Sequence, residues 1–166
     1  MSTSGRRGGP STPFEIYQRH AGAWSRDRGE RLAEKAWLDR FLALLPRDAA
    51  VLDLGCGSGI PIARYLIERG IIAWDSFFHL SQADQRRMFP IFKRYAASGA
   101  ALMFTSGPSA GEQMGTYQGE PLYHASLDSA EYRQLLGENG FDVVAHVVED
   151  PECGLHTIWL AANTDK

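Results

Sequence analysis

The residues best suited to chemistry form one short run, Val51-Leu52-Asp53-Leu54-Gly55-Cys56-Gly57-Ser58-Gly59. A strand-like apolar stretch leads into it, and an amphipathic stretch from about Pro61 to Arg69 comes after it. Gly55, Gly57 and Gly59 let backbone approach a ligand where a Cβ would collide. A helix starting just beyond them turns free N–H groups toward the same ligand. This is how a nucleotide-type cofactor site is built. Dinucleotide sites carry G-x-G-x-x-G/A; counted from Gly55, the last position here is Ile60, so the spacing departs from that fingerprint. Asp53 adds a carboxylate two residues before the first glycine. Cys56, inside the loop, reads as a small space-filler.

His79 is the leading candidate base, because an imidazole with a pKa near 6.5 suits removal of an N–H or O–H proton. Capping or packing at a helix start would account for the same residue. Tyr117, Tyr123 and His124 fall in a Gly- and Pro-rich stretch and are candidates to line a substrate pocket. His146 and His156 lie in alternating stretches and read as structural. No H-E-x-x-H or paired-cysteine spacing points to zinc, so no metal site is expected.

These residues need elements to position them. Apolar spacing predicts helices over about 14–24 and 29–45, the second ended by Pro46. Ala49–Leu54 reads as a strand, followed by the helix from Pro61 with Gly70 at its end. Ile71–Trp74 is a second strand. Ser81 and Asp84 start a helix over 82–96, in which Pro90 should make a kink. Ala100–Thr105 is a third strand, and residues 106–127 read as a long loop, often a binding loop or lid. Asp128 and Glu131 open another helix, closed by Gly140. Phe141–Glu149 and Leu155–Ala162 form an antiparallel pair. Strands alternating with helices argue for an α/β fold with a mainly parallel sheet.

The chain has 166 residues, 44% of them hydrophobic and 22% charged, which suits one folded unit and excludes full disorder. Residues 1–13 are mostly Ser, Gly, Pro, Thr and Arg and are expected to be a disordered tail before a single domain over 14–166. No apolar run approaches the roughly 18 residues of a membrane span. Residues 1–31 carry six arginines against three acids, too weak an excess to suggest nucleic acid. Two cysteines make no disulfide framework, and the N-terminus lacks an apolar signal segment, so a cytoplasmic setting is expected.

Asp53 and the Gly55-Cys56-Gly57-Ser58-Gly59 loop resemble motif I of class I S-adenosylmethionine (SAM) dependent methyltransferases. Tyr17-Gln18-Arg19-His20-Ala21, with Trp24 and Arg28, is similar to the N-terminal segment of the small-molecule members, which folds over SAM. Ala73-Trp74-Asp75-Ser76-Phe77-Phe78-His79-Leu80 resembles motif IV and the segment just after it. Ser98-Gly99-Ala100-Ala101-Leu102 resembles the turn before the fifth strand, with two of its residues replaced. The resemblance implies a Rossmann-like sheet with an antiparallel C-terminal pair, SAM as cofactor and a small-molecule methyl acceptor. It implies that Asp53, Gly55, Cys56, Gly57 and Gly59 hold SAM, that Tyr17, Trp24 and Arg28 close over it, and that His79, Tyr123 and His124 face the acceptor.

The same resemblance implies two further β-α units between the motif I helix and motif IV. Gly59 and Ile71 are only twelve positions apart, whereas one βαβ unit takes roughly 30 residues. Either Ile71–Asp75 is motif IV and the adenosine half is missing, or it is the second strand and Asp75 is the ribose-binding acid. The first reading leaves Val51–Leu54 on a sheet edge, where two copies could pair. Three functions are compatible with these residues: a SAM-dependent methyltransferase, a shortened and weak or inactive relative that self-associates, or a nicotinamide-dependent oxidoreductase.

Overall fold

In the central strands, alternate side chains go to opposite faces, as a period of two requires, and this divides the core into two layers. The computed structural model of the protein describes residues 11–29, 31–45, 51–55 and 70–164. Its main sheet contains β1 (Val51–Asp53), β2 (Gly70–Ala73), β3 (Ala101–Ser106), β6 (Phe141–Asp150) and β7 (His156–Asn163) in the order β1-β2-β3-β7-β6. The pairs β1–β2 and β2–β3 are parallel; β3–β7 and β7–β6 are antiparallel. Ile71, Ala73, Leu102, Phe104, Trp159 and Ala161 face one layer, and Ile72, Met103, Ile158 and Leu160 face the other.

The first layer is completed by α4 (Gln82–Tyr95) and α5 (Ser129–Glu138). They contribute Phe89, Phe92, Tyr132 and Leu136. The second is completed by α3 (Lys35–Ala43), through Trp37, Leu38 and Phe41. Both expected start signals act as caps. Ser81 accepts from the Asp84 N–H at 3.1 Å, and Asp128 accepts from the Ala130 N–H at 2.8 Å. α4 runs through Pro90 to Tyr95.

Several boundaries differ from the sequence reading. The expected helix over 14–24 is two helices, α1 (Pro13–Arg19) and α2 (Ala21–Arg28), joined at His20. Pro13 belongs to α1 rather than to a tail, because Thr12 and Glu15 form a reciprocal capping box and Pro13 suits the first turn. The next helix begins at Lys35, not near 29, since Gly29 leaves α2 with φ +60°.

The largest correction concerns residues 106–127. Most of this stretch is a β-hairpin, β4 (Gly111–Tyr117) and β5 (Glu120–Ser126), forming a separate two-stranded sheet. Its turn residues Gln118 and Gly119 have φ +51° and +80°, as a two-residue hairpin turn requires. β4 is exposed over most of its length, so it carries no apolar alternation to read.

β1 lies at one edge of the main sheet. In a doubly wound order the second strand stands on the far side of the first from the C-terminal strands. Here β2 stands between β1 and the C-terminal pair, as the motif IV reading of Ile71–Asp75 expects. At the other edge β6 carries two register irregularities, at Val143/Ala145 and Val147/Asp150. Pro46, Cys56, Gly57, Gly59 and the helix expected over 61–69 lie outside the described residues.

Candidate active site

The carboxyl ends of β1, β2 and β3 bring the chemistry-bearing turns together. Gly55 follows β1 with φ +95°, and a Cβ there would stand 2.5 Å from the Ser76 Cβ. Ser76 Oγ in turn donates to the Leu54 carbonyl at 2.5 Å. The glycine is needed both for its backbone conformation and for this close approach. Asp53 ends β1 just before that contact. Burial pushes its carboxyl up to about 6, the expected response of an anion withdrawn from water without a compensating cation.

After β2, Asp75 has φ +49° and its N–H donates to the Thr105 hydroxyl at 3.0 Å. Its Oδ1 lies 2.8 Å from His156 Nε2, while His156 Nδ1 lies 2.6 Å from the Cys153 carbonyl. Both ring nitrogens therefore face acceptors, which favours the imidazolium, and the Asp75 bond raises the His156 pKa. Arg28 pairs with the buried Glu34 carboxylate and donates to the Arg31 carbonyl at 3.2 Å. Its charge reaches His156 rather than the ring cluster around Tyr17.

His79 closes the 3₁₀ turn Phe77–His79. Its Nδ1 lies 2.9 Å from the Tyr123 carbonyl, which can only accept, so that nitrogen carries the hydrogen. Nε2 then accepts from the Tyr17 hydroxyl at 3.0 Å. Burial lowers the His79 pKa and raises that of Tyr17 to about 12, so both groups are neutral near pH 7. Ring contacts extend the cluster: Tyr17 meets Trp24 at 5.0 Å, His79 meets His124 at 4.8 Å, and His124 stacks on Phe78 at 5.4 Å.

The hairpin is tied to the helices over this cluster. Glu120 pairs with Arg19 and His20, and the Tyr117 hydroxyl donates to Asp27 at 3.1 Å. At its base the hairpin is fixed by buried Gln85. The Gln85 amide donates to the Leu80 and Ala125 carbonyls at 3.0 and 2.9 Å and accepts from the Tyr132 hydroxyl at 2.6 Å. Tyr132 also accepts from the Leu127 N–H at 3.0 Å.

Between the hairpin and the end of β3 lies a cleft of about 620 Å³. Phe78, Ser106, Pro108, Glu112, His124 and Ser126 are among its walls. His124 thus reaches the cleft. Tyr123, its neighbour on the strand, instead gives its carbonyl to His79, and its ring is not part of the lining. The structure gathers Tyr17 and Trp24, expected to close over the cofactor, and His79 and His124, expected to face the acceptor, into one ring cluster, whereas the sequence reading kept the two pairs apart. That reading missed Phe78, adjacent to His79, and Gln85, whose role rests on contacts to residues 40 and 47 positions away.

No protein-family model matches the chain, and no curated protein matches it in sequence. Solved structures do match in fold. A 1,6-didemethyltoxoflavin-N1-methyltransferase from Burkholderia thailandensis, solved with 1,6-didemethyltoxoflavin and S-adenosylhomocysteine, superposes with a TM-score of 0.61 at 15% identity over 99% of each chain. An amino pentose methyltransferase of calicheamicin biosynthesis from Micromonospora echinaspora, solved with SAM, gives 0.60 at 14% identity over 95% of this chain and 100% of that one. The CcbJ methyltransferase from Streptomyces caelestis gives 0.62 at 12% identity over 90% and 96%. The chain has the class I methyltransferase fold, and among the described residues no helix is long and apolar enough to cross a membrane.

Proposed function

We propose that this chain is a SAM-dependent methyltransferase of the cytoplasm acting on a small-molecule acceptor. The observation that carries the reading is the meeting of Gly55 with Ser76, beside the half-buried carboxyl of Asp53 and next to a cleft roofed by a hairpin. A carboxyl pushed up to about 6 by burial suits a ligand that brings positive charge. SAM carries an ammonium and a sulfonium, so the residues present fit its methionyl end. Asp53 and Gly55 would hold that end, together with Cys56, Gly57 and Gly59. Tyr17 and Trp24 would close over the cofactor, and Asp75, held by His156, follows β2 next to Ser76.

When bound, SAM supplies a methyl group on a sulfonium that leaves as a neutral thioether. The protein's part is to hold the acceptor in line, exclude water and accept a proton. The acceptor occupies the cleft at His124, and no nucleic acid is called for.

Isothermal titration with SAM, S-adenosylhomocysteine and NAD tests the reading. SAM and its product bind, NAD does not, and affinity for SAM rises as pH passes upward through about 6, where Asp53 ionises. Asp53→Asn flattens that dependence. Gly55→Ala abolishes binding, because its Cβ meets Ser76. Tight NAD binding without a response to the sulfur compounds overturns the proposal in favour of an oxidoreductase.

A second reading has its own support. Leu52 is 46% exposed on a strand that has a single neighbour among the described residues. A shortened, inactive chain that pairs through β1 with a second copy would cover that edge. Weak SAM binding by a species that light scattering shows to be a dimer supports this reading; full affinity in a monomer overturns it.

A further inference from the structure

Resting on the methyltransferase reading, we propose that His124, rather than His79, takes the proton from the methyl acceptor, and that the acceptor is an uncharged ring compound reacting through a phenolic O–H or ring N–H. The two imidazoles differ in what their nitrogens are doing. His79 spends both: Nδ1–H donates to the Tyr123 carbonyl, and Nε2 accepts from the Tyr17 hydroxyl. A proton reaching His79 would first have to displace Tyr17. On His124 the Leu122 carbonyl, two residues back, is the one hydrogen-bonding group acting on the ring among the described residues, so at most one of its nitrogens is engaged. The other nitrogen has no partner among the described residues, and the ring is part of the cleft wall.

The backbone beside His124 is shaped for this placement. Gly115, on the partner strand, stands where a Cβ would lie 3.0 Å from His124 Cε1. His79 is therefore a positioning residue: its bond to the Tyr123 carbonyl fixes the strand that presents His124. The titratable group facing His124 is His79 from the 3₁₀ turn, while Glu112 on β4 lines the cleft and interacts with Tyr123.

The cleft also limits the acceptor. Among the described residues its walls contain no Lys or Arg, and Glu112 is their one acid, which disfavours a phosphate or carboxylate compound. Phe78, stacked on His124 at 27°, and Pro108 offer flat apolar surface for a ring. A neutral imidazole is useful only where the nucleophile must lose a proton. The acceptor's O or N lone pair forms the bond to the methyl carbon, and the electron pair of the broken carbon–sulfur bond stays on sulfur. The acceptor's proton goes to the unengaged ring nitrogen of His124 and then to water.

Two measurements on the whole chain decide this. The first compares methyl transfer to phenol, benzimidazole and 4-nitrophenol by His124→Gln and His79→Gln. His124→Gln loses about 100-fold on phenol and benzimidazole, within the usual range for a general base, but only a few-fold on 4-nitrophenol at a pH where it is already ionised. His79→Gln loses the same factor on all three. The second measurement needs no turnover: diethyl pyrocarbonate modifies His124 at least about tenfold faster than His79, mapped by peptide mass spectrometry, because only a free, unprotonated nitrogen reacts. Equal losses on all acceptors in His124→Gln, or His79 modified as fast as His124, overturn the assignment of the base. SAM binding without methylation of any of the three compounds overturns the acceptor class. A chain that binds no SAM overturns the methyltransferase reading itself, and the modification pattern then decides between the two histidines alone.

Discussion

The two sides of the site are held by unequal means. The acceptor side is set by buried structure: β3 has a neighbour on each flank, the Gln85–Tyr132 network clamps the hairpin base, and stacked rings fill the layer beneath. The donor side, as described, has a three-residue strand with one neighbour and a glycine seated against Ser76. The difference teaches where precision is stored. The cleft is shaped before any ligand arrives, whereas the donor side depends on a local backbone approach and on the charge a ligand brings to Asp53.

The contrast is sharpest in stability. Phe104→Ala, in a fully buried ring stacked on Trp159 at 5.8 Å, costs about 3–5 kcal/mol in urea unfolding. Leu52→Ala, on the half-exposed edge strand, costs less than about 1 kcal/mol. Comparable losses would mean that β1 is packed as firmly as β3. Next comes Tyr132→Phe, which strands the Gln85 carbonyl and the Leu127 N–H inside the core. It costs about 2–3 kcal/mol, and amide exchange should show the loss concentrated at the base of the hairpin.

A smaller effect separates the two histidine environments by pH. Burial holds the His79 pKa below its ordinary value, so its contribution is present above about pH 6.5 and is lost as pH falls. The Asp75 contact raises the His156 pKa, so its contribution is present below about pH 6.5 and is lost as pH climbs through the raised value. Thermal melts across pH should therefore flatten on the acid side in His79→Gln and on the alkaline side in His156→Gln. The opposite assignment would reverse the tautomers inferred from their partners. The smallest effect is Gly115→Ala. It changes stability by less than about 1 kcal/mol, yet shifts the His124 imidazole signals in nuclear magnetic resonance spectra, since its Cβ crowds that ring.

How much the sequence disclosed depends on which features write a local signal. β2 and β3 were legible because strands buried on both faces are continuous apolar runs, and α4 and α5 because Ser81 and Asp128 are caps with short-range partners. The hairpin was not, because β4 is polar, rich in glycine and exposed on both faces; only Gln118-Gly119 marked a turn. Tyr17, Trp24 and His79 were singled out as candidates partly through a family resemblance, and the Tyr17–His79 contact spans 62 positions. The proposed division of labour between His79 and His124 had no trace in the sequence, since it depends on the partners each imidazole meets in the fold. Tyr123 was expected to offer its ring and offers its backbone instead.

The two irregularities in β6 bear on how the protein behaves at high concentration. An edge strand is an invitation to open-ended pairing, and bulges twist it away from the straight ladder that a second strand would need. β6 is ten residues long with Val144 and Val148 about half exposed, so an unbroken ladder there would favour fibrous aggregation. Interrupting it twice keeps that long apolar margin from open-ended pairing, while β1, at three residues, offers a ladder long enough for one short pairing and no more.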